Sequence, residues 1–113
     1  MDTELKAKVR REFDDAVNMS AAEISDWLDT KESKAVGFKG ADGKGRAESV
    51  GHASGRRIVT ILGKKRDDLT DDDYAHMRKA VGYVRRHLAQ EPVNVATSRW
   101  RYSLMNWGHD PLR

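Results

Sequence analysis

Residues 67–90, DDLTDDDYAHMRKAVGYVRRHLAQ, combine a helix start signal with a long amphipathic pattern. Thr70 is a suitable N-cap residue, and Asp73 stands at the third helical position, where a carboxylate completes a capping box. Apolar side chains then recur every three or four residues, which is the spacing of one face of an α-helix: Tyr74, Met77, Val81, Val84 and Leu88. The pattern predicts a helix over about 71–90, and its apolar face must pack against other helices.

Four other segments show helical spacing with start or stop signals of their own. The predicted helices are about 3–17, 20–29 with a capping box of Ser20 and Glu23, 49–63, and a tail helix that Thr97 or Ser98 caps and Gly108 ends. Nothing in the chain offers a pair of partner strands. We therefore predict an all-α fold over residues 1–113, a small single-domain helical bundle of about four to five helices.

Composition limits the class of protein. In 113 residues, 38% apolar content beside 35% charged residues supplies a modest core under a densely charged surface. There is no cysteine, which excludes thiol catalysis and thiolate metal sites. No apolar run is long enough to span a bilayer and the N-terminus is acidic, so we expect a cytoplasmic protein with no membrane partner.

Motifs for catalysis or metal binding are incomplete. Serine stands one place late for a nucleophile elbow in GHASG at 51–55, and the helical spacing turns Ser54 inward. No glycine-rich stretch completes a phosphate loop or a dinucleotide fingerprint. His76 follows Asp72 by four residues, but no second ligand pair accompanies it. We expect no enzyme activity, no metal and no cofactor.

Positive charge is concentrated in the middle of the chain. Residues 31–66 hold ten Lys or Arg against three Asp or Glu, whereas residues 1–30 hold four against eight and residues 67–113 hold seven of each. Residues 30–48 also hold four of the nine glycines, which predicts a short turn or helical piece and then a basic Gly-rich loop centred on 39–46. Such a segment is either a solvated surface or a footprint for nucleic acid.

The predicted phosphate contacts are basic residues of the loop, of the middle helix with its C-terminal end, of the 71–90 helix and of the tail. They are Lys39, Lys44, Arg46, Arg56, Arg57, Lys64, Lys65, Arg66, Lys79, Arg85, Arg86, Arg99 and Arg101. Gly82 lies among four helix cations, Arg78 and the predicted contacts Lys79, Arg85 and Arg86. Its lack of a side chain admits either a phosphate or a neighbouring helix.

Packing roles are predicted for other small and aromatic residues. Gly51 and Gly55 stand four apart on the apolar arc, which favours close approach of another helix. Trp100 and Trp107 are expected to anchor the core, although Arg99-Trp100-Arg101-Tyr102 is also typical of a segment that stacks bases and pairs phosphates.

Three runs resemble a known family: VNMSAAEISDWLDTKES, ESVGHASGRRIVTILGKKRDDLTDDDYAHMRKAVGYVRRHLAQ and SRWRYSLMNWGHDP. They are similar to the small bacterial and fungal family catalogued as domain of unknown function 3140, from about Phe13 to Pro111. Some members carry a DNA-binding label, and the resemblance implies no active site. AAEISDWL is also similar to the first helix of the SAP module, which binds DNA. We expect a DNA-binding domain with little sequence specificity; the alternative is an interaction module whose basic face binds an acidic protein.

Overall fold

The computed structural model describes residues 1–37 and 48–113. This part of the chain is all-helical, as predicted, and contains no strand. Its helices are α1 (Thr3–Ala16), α2 (Ala21–Leu28), α3 (Lys31–Ala35), α4 (Val50–Leu62), α5 (Asp71–Leu88) and α6 (Arg99–Asn106), with a 3₁₀ turn at Arg66–Asp68. The predicted contacts Lys39, Lys44 and Arg46 lie outside the described residues.

Each of these six α-helices begins at a side-chain N-cap, which explains why the helix starts follow the sequence signals closely. The capping residues are Asp2, Ser20, Thr30, Ser49, Thr70 and Ser98. The predicted capping boxes at Ser20 and Thr70 are both present. Gly108, the predicted end of the tail helix, has a φ of +83°, a conformation that favours glycine. The sequence predicted a short turn or helical piece near residue 30, and the structure shows that this piece is a five-residue helix, α3.

The helices form a bundle around one apolar core. Helix α1 packs along α5, α2 packs along α4, and α6 contacts α2, α3, α4 and α5. Buried core side chains come from most of these elements, among them Phe13, Ile24, Ile58, Tyr74 and Leu104. Trp100 and Trp107 belong to the same core, which confirms their predicted packing role. None of the helices in residues 1–37 and 48–113 combines the length and the apolar composition that a bilayer-spanning segment requires.

Gly51 and Gly55 let α4 approach α6 closely. A Cβ atom placed on Gly55 would lie 2.6 Å from the carbonyl oxygen of Asn106 and 2.8 Å from Leu28 Cδ2. On Gly51 it would lie 3.0 Å from Trp107 Nε1. The close packing predicted for these two glycines is therefore confirmed.

Asn106 holds the short helix α3 and helix α2 against α6. Its buried amide oxygen accepts hydrogen bonds from Trp27 Nε1 at 2.8 Å and from Ser33 Oγ at 2.5 Å. Its amide nitrogen donates to the carbonyl oxygen of Ser33 at 3.1 Å. Because five residues are too few for a helix that is stable alone, these bonds account for the presence of α3.

Candidate nucleic-acid interface

Two of the predicted phosphate contacts, Arg57 and Lys64, point to one buried carboxylate. Arg57 Nη2 lies 2.9 Å from Asp73 Oδ1, and Lys64 Nζ lies 2.6 Å from Asp73 Oδ2. The Asp73 side chain is only 1% exposed. The hydrogen bond from Lys64, followed by that from the backbone of Thr70, holds the pKa of Asp73 far below its usual range. These two cations therefore stabilise the junction between α4 and α5.

Arg56 and Arg85 also form ion pairs with carboxylates. Arg56 pairs with Glu48, and this hydrogen-bonded contact is the main reason that the pKa of Glu48 falls to about 2. Arg85 Nη1 lies 2.7 Å from Glu12 Oε2, which joins α5 to α1. Both arginine side chains are 63% exposed, so water and salt screen these pairs and a phosphate can compete for the guanidinium groups.

The tail arginines bind within the fold. Arg101 donates two hydrogen bonds to Asp110, at 3.0 and 3.1 Å, and one to the carbonyl oxygen of Ala96. Arg99 donates to the carbonyl oxygen of Ala35 at 3.2 Å. Trp100 is buried, and its indole Nε1 donates to the carbonyl oxygen of His87 at 2.6 Å. The tail thus packs as a core element, and Trp100 has no exposed ring for base stacking.

The other predicted contacts that the structure describes are exposed. Within the described part of the chain Lys65, Lys79 and Arg86 form no ion pair, and Arg66 Nε lies 3.9 Å from the exposed carboxylate of Asp67. The structure therefore divides the described members of the predicted set into cations bound to partners within the fold and exposed cations that form no close ion pair.

A cleft between α1 and α5 collects basic side chains around Gly82. This Gly82 cleft has a volume of about 260 Å³ and is lined by Lys8, Val9, Glu12, Arg78, Val81, Gly82 and Arg85. Three cations face one carboxylate, and that carboxylate is paired with Arg85. Lys8 and Arg78 form no ion pair with any described residue. The cleft consequently carries an excess of positive charge that the described part of the fold does not neutralise.

No neighbouring helix in residues 1–37 and 48–113 accounts for the glycine at position 82. Of the described part of the chain, a Cβ atom placed there would meet only the guanidinium of Arg86, with Nη1 at 3.0 Å, and the end of an arginine side chain moves easily. Glycine in a helix interior costs about 1 kcal/mol relative to alanine. Of the two interpretations of Gly82, the one based on helix packing is therefore wrong. Close approach of a ligand remains as a prediction.

Comparison with protein families gives one result. A family described as protein of unknown function, DUF3140, matches residues 12–105. The chain belongs to the DUF3140 family. Neither the curated proteins nor the solved structures contain a match to this chain. The α5 wall of the Gly82 cleft, Arg78 to Arg85, lies inside the matched range of this DUF3140 domain, whereas Lys8 precedes it.

Lys8 and Arg78 are absent from the predicted contacts. Residues 1–30 carry a net negative charge. A count of charge over this whole segment therefore misses the basic run KAKVRR at 6–11. Arg78, Gly82 and Arg85 stand at positions i, i+4 and i+7 of one helix, so they share a face. If the cations of α5 had been sorted by helical face, and not by the net charge of each segment, Arg78 and Arg85 would have been recognised as one wall of the Gly82 cleft.

Ser54 and His76 form an internal pair in this DUF3140 domain. Ser54 is 4% exposed, as the helical spacing predicted, and its Oγ lies 2.8 Å from His76 Nε2. Burial, helped by the charge of Arg57, lowers the pKa of His76, whose ring stacks on Trp107 at 6.1 Å. No group of three or more His, Asp or Glu side chains within residues 1–37 and 48–113 is arranged to hold a metal ion.

Proposed function

We propose that this domain binds nucleic acid, and DNA in the first instance, through the phosphate backbone and with little sequence specificity. The Gly82 cleft carries this proposal: among the described residues Lys8 and Arg78 have no ion-pair partner, and no neighbouring helix packs against Gly82. Phosphate oxygens accept hydrogen bonds from Lys and Arg, and such contacts supply most sequence-independent affinity.

Gly82 is suited to this contact because it has no side chain to cover the backbone of α5 between Arg78 and Arg85. A phosphate group can approach the helix backbone there more closely than over a side chain. The guanidinium of Arg86 lies beside the same position, with Nη1 3.0 Å from where a Cβ would stand. A phosphate in the cleft would therefore lie within reach of cations from α5 and of Lys8 from α1.

A second cationic cavity lies along α1 and supports a longer contact. It has a volume of about 370 Å³, and its polar lining includes Lys6, Arg10, Arg66 and Asp67. Arg10 Nη1 donates to the hydroxyl of Tyr74 at 2.8 Å, and Lys6 Nζ lies 5.6 Å from the centre of the Tyr74 ring. Lys6 and Arg10 stand one turn apart, whereas Lys8 projects from another side of the helix. Cations therefore flank α1 on two sides.

The proposal predicts that loss of Lys8 and Arg78 weakens DNA binding. In the Lys8→Gln/Arg78→Gln variant we expect affinity for a duplex of about 20 base pairs to fall about tenfold at about 50 mM salt. The slope of log affinity against log salt should decrease by about 2, because two phosphate contacts are lost. Fluorescence anisotropy with duplex and single-stranded probes, each at several salt concentrations, measures both quantities.

A charge-matched control is the Lys31→Gln/Lys34→Gln variant. Both lysines are exposed on α3, and neither lines the Gly82 cleft. Its affinity should remain within about threefold of the parent, with a nearly unchanged salt slope. Equal losses in the two variants would contradict the cleft as the contact site. Absence of binding to every probe at low salt would reject the nucleic-acid proposal and direct the search to an acidic protein partner.

Gly82→Ala is expected to separate stability from binding. The free energy of unfolding should rise by up to about 1 kcal/mol, because alanine favours the helix and the added Cβ displaces only the end of Arg86. DNA affinity should nevertheless fall several-fold, because the methyl group occupies part of the cleft and keeps a phosphate farther from the helix backbone. Urea denaturation and anisotropy on the same preparation test this. A destabilised variant, or a stabilised one with full affinity, would show that the glycine serves another purpose.

A further inference from the structure

A separate cavity of about 230 Å³ lies between α4, α5 and α6. Its apolar wall consists of Val50, Gly51, Tyr83 and Trp107. The ring of Tyr83 stacks on Trp107 at 4.4 Å and on His87 at 5.1 Å, which fixes the wall in position. Drug-sized sites occupy about 300–1,000 Å³, so this pocket, which we call the Trp107 pocket, suits a smaller molecule.

Trp107 brings an unpartnered hydrogen-bond donor to this pocket. The side chain is 3% exposed, and its Nε1 finds no acceptor among residues 1–37 and 48–113. The other two indoles are satisfied: Trp27 Nε1 donates to Asn106 and Trp100 Nε1 donates to the carbonyl oxygen of His87. Trp107 Nε1 is not among the fully buried polar atoms without a partner, so it keeps contact with solvent where Trp107 lines the pocket. There this N–H can donate to water or to an acceptor that a ligand supplies.

Two cations indicate that this acceptor is anionic. Lys79 and Arg86 both line the pocket from α5, and no carboxylate side chain of the described residues lines it with them. Positions seven apart lie on the same helical face, about 10.5 Å apart along the axis. Lys79 and Arg86 are exposed and form no ion pair with a described residue, so both are available to a bound anion.

We propose that the Trp107 pocket binds a small anion with an apolar body, about one aromatic ring system carrying a carboxylate or a phosphate. The ring contacts Val50, Tyr83 and Trp107, and an acceptor oxygen lies within reach of the indole N–H. The anionic group lies toward Lys79 and Arg86. This site uses other residues than the Gly82 cleft, apart from Arg86 at the border of the two, so it does not depend on nucleic-acid binding.

The test is a titration followed by the three tryptophan indole N–H signals in ¹⁵N–¹H NMR spectra. The probes are indole-3-acetate, its neutral counterpart indole-3-acetamide, adenosine monophosphate and adenosine. Either anion should shift the Trp107 signal and leave those of Trp27 and Trp100 in place. Each anion should bind about tenfold more tightly than its neutral counterpart, the usual difference for a charge-assisted hydrogen bond. The two anions distinguish carboxylate from phosphate ligands.

Variants of the two cations complete the test. Lys79→Gln/Arg86→Gln should weaken binding of the anion about tenfold, whereas Lys31→Gln/Lys34→Gln should bind as the parent does. Unchanged Trp27 and Trp100 signals establish that each variant is folded. The proposal is overturned if neither anion shifts the Trp107 signal at millimolar concentration. It is equally overturned if the neutral probes bind as tightly, or if the Lys79→Gln/Arg86→Gln variant binds as the parent does.

Discussion

Asp73→Ala is expected to lower the free energy of unfolding by about 3 kcal/mol. The carboxylate is buried, accepts hydrogen bonds from Arg57 and Lys64, and completes the capping box of α5 by accepting from the backbone N–H of Thr70 at 3.0 Å. Its removal leaves two cations without a partner at the α4–α5 junction and one helix N-terminus without half of its cap. Urea denaturation with unchanged slope measures the loss.

Asp71→Ala and Asp72→Ala are the matched controls for this variant. Both aspartates lie in the same first turn of α5, but they are exposed and form no ion pair with a described residue. Only their interaction with the helix dipole is lost, so each should cost less than about 1 kcal/mol. If the three variants were equally destabilised, the buried ion pairs of Asp73 would have no special role.

The effect of Asp73→Ala should also depend on pH. The hydrogen bonds from Lys64, Thr70 and Arg57 hold the pKa of the folded carboxyl far below its usual range. A group with a depressed pKa contributes its full stability above its unfolded value, near 4, and loses that contribution as the pH falls toward the folded value. The difference in unfolding free energy between parent and variant should therefore shrink between pH 6 and pH 3. A difference that is constant over this range would contradict the linkage.

The helices and their starts were predictable because the signals are local. Ser20 and Thr70 cap α2 and α5 through residues three positions away, and apolar spacing identifies the buried face of each helix. The buried Trp100 and Trp107 follow from the same spacing. Such features need no knowledge of how the helices are arranged.

The partners of the basic residues were not predictable in the same way. Periodicity shows that Arg57 lies on a polar face, but not that Asp73, 16 residues later, meets it there. The structural role of Asn106 could not be predicted from the sequence, because its hydrogen-bond partners Trp27 and Ser33 are 79 and 73 residues away. The Gly82 cleft likewise joins Lys8 of α1 to Arg78 of α5, a proximity that only the packing of the two helices creates.

Gly55→Ala is expected to destabilise the fold by about 2 kcal/mol, although alanine is the better helix former. The added Cβ would stand 2.6 Å from the carbonyl oxygen of Asn106, and a backbone atom cannot move aside as a side chain can. The overpacking forces α4 away from α6 and outweighs a propensity gain of about 1 kcal/mol. A fall in Tm of about 10 °C in thermal denaturation would correspond to this loss.

Gly55→Ala and Gly82→Ala are the same substitution in two different packing environments. Both glycines lie inside helices, so the gain in helix propensity is the same, and only the surroundings of the added methyl group differ. At Gly55 they are a backbone oxygen and Leu28; at Gly82 they are the end of Arg86. Opposite signs of the stability change are therefore expected. A stabilised Gly55→Ala variant would mean that α4 and α6 are not in close contact, and with it the Gly51 wall of the Trp107 pocket would be lost.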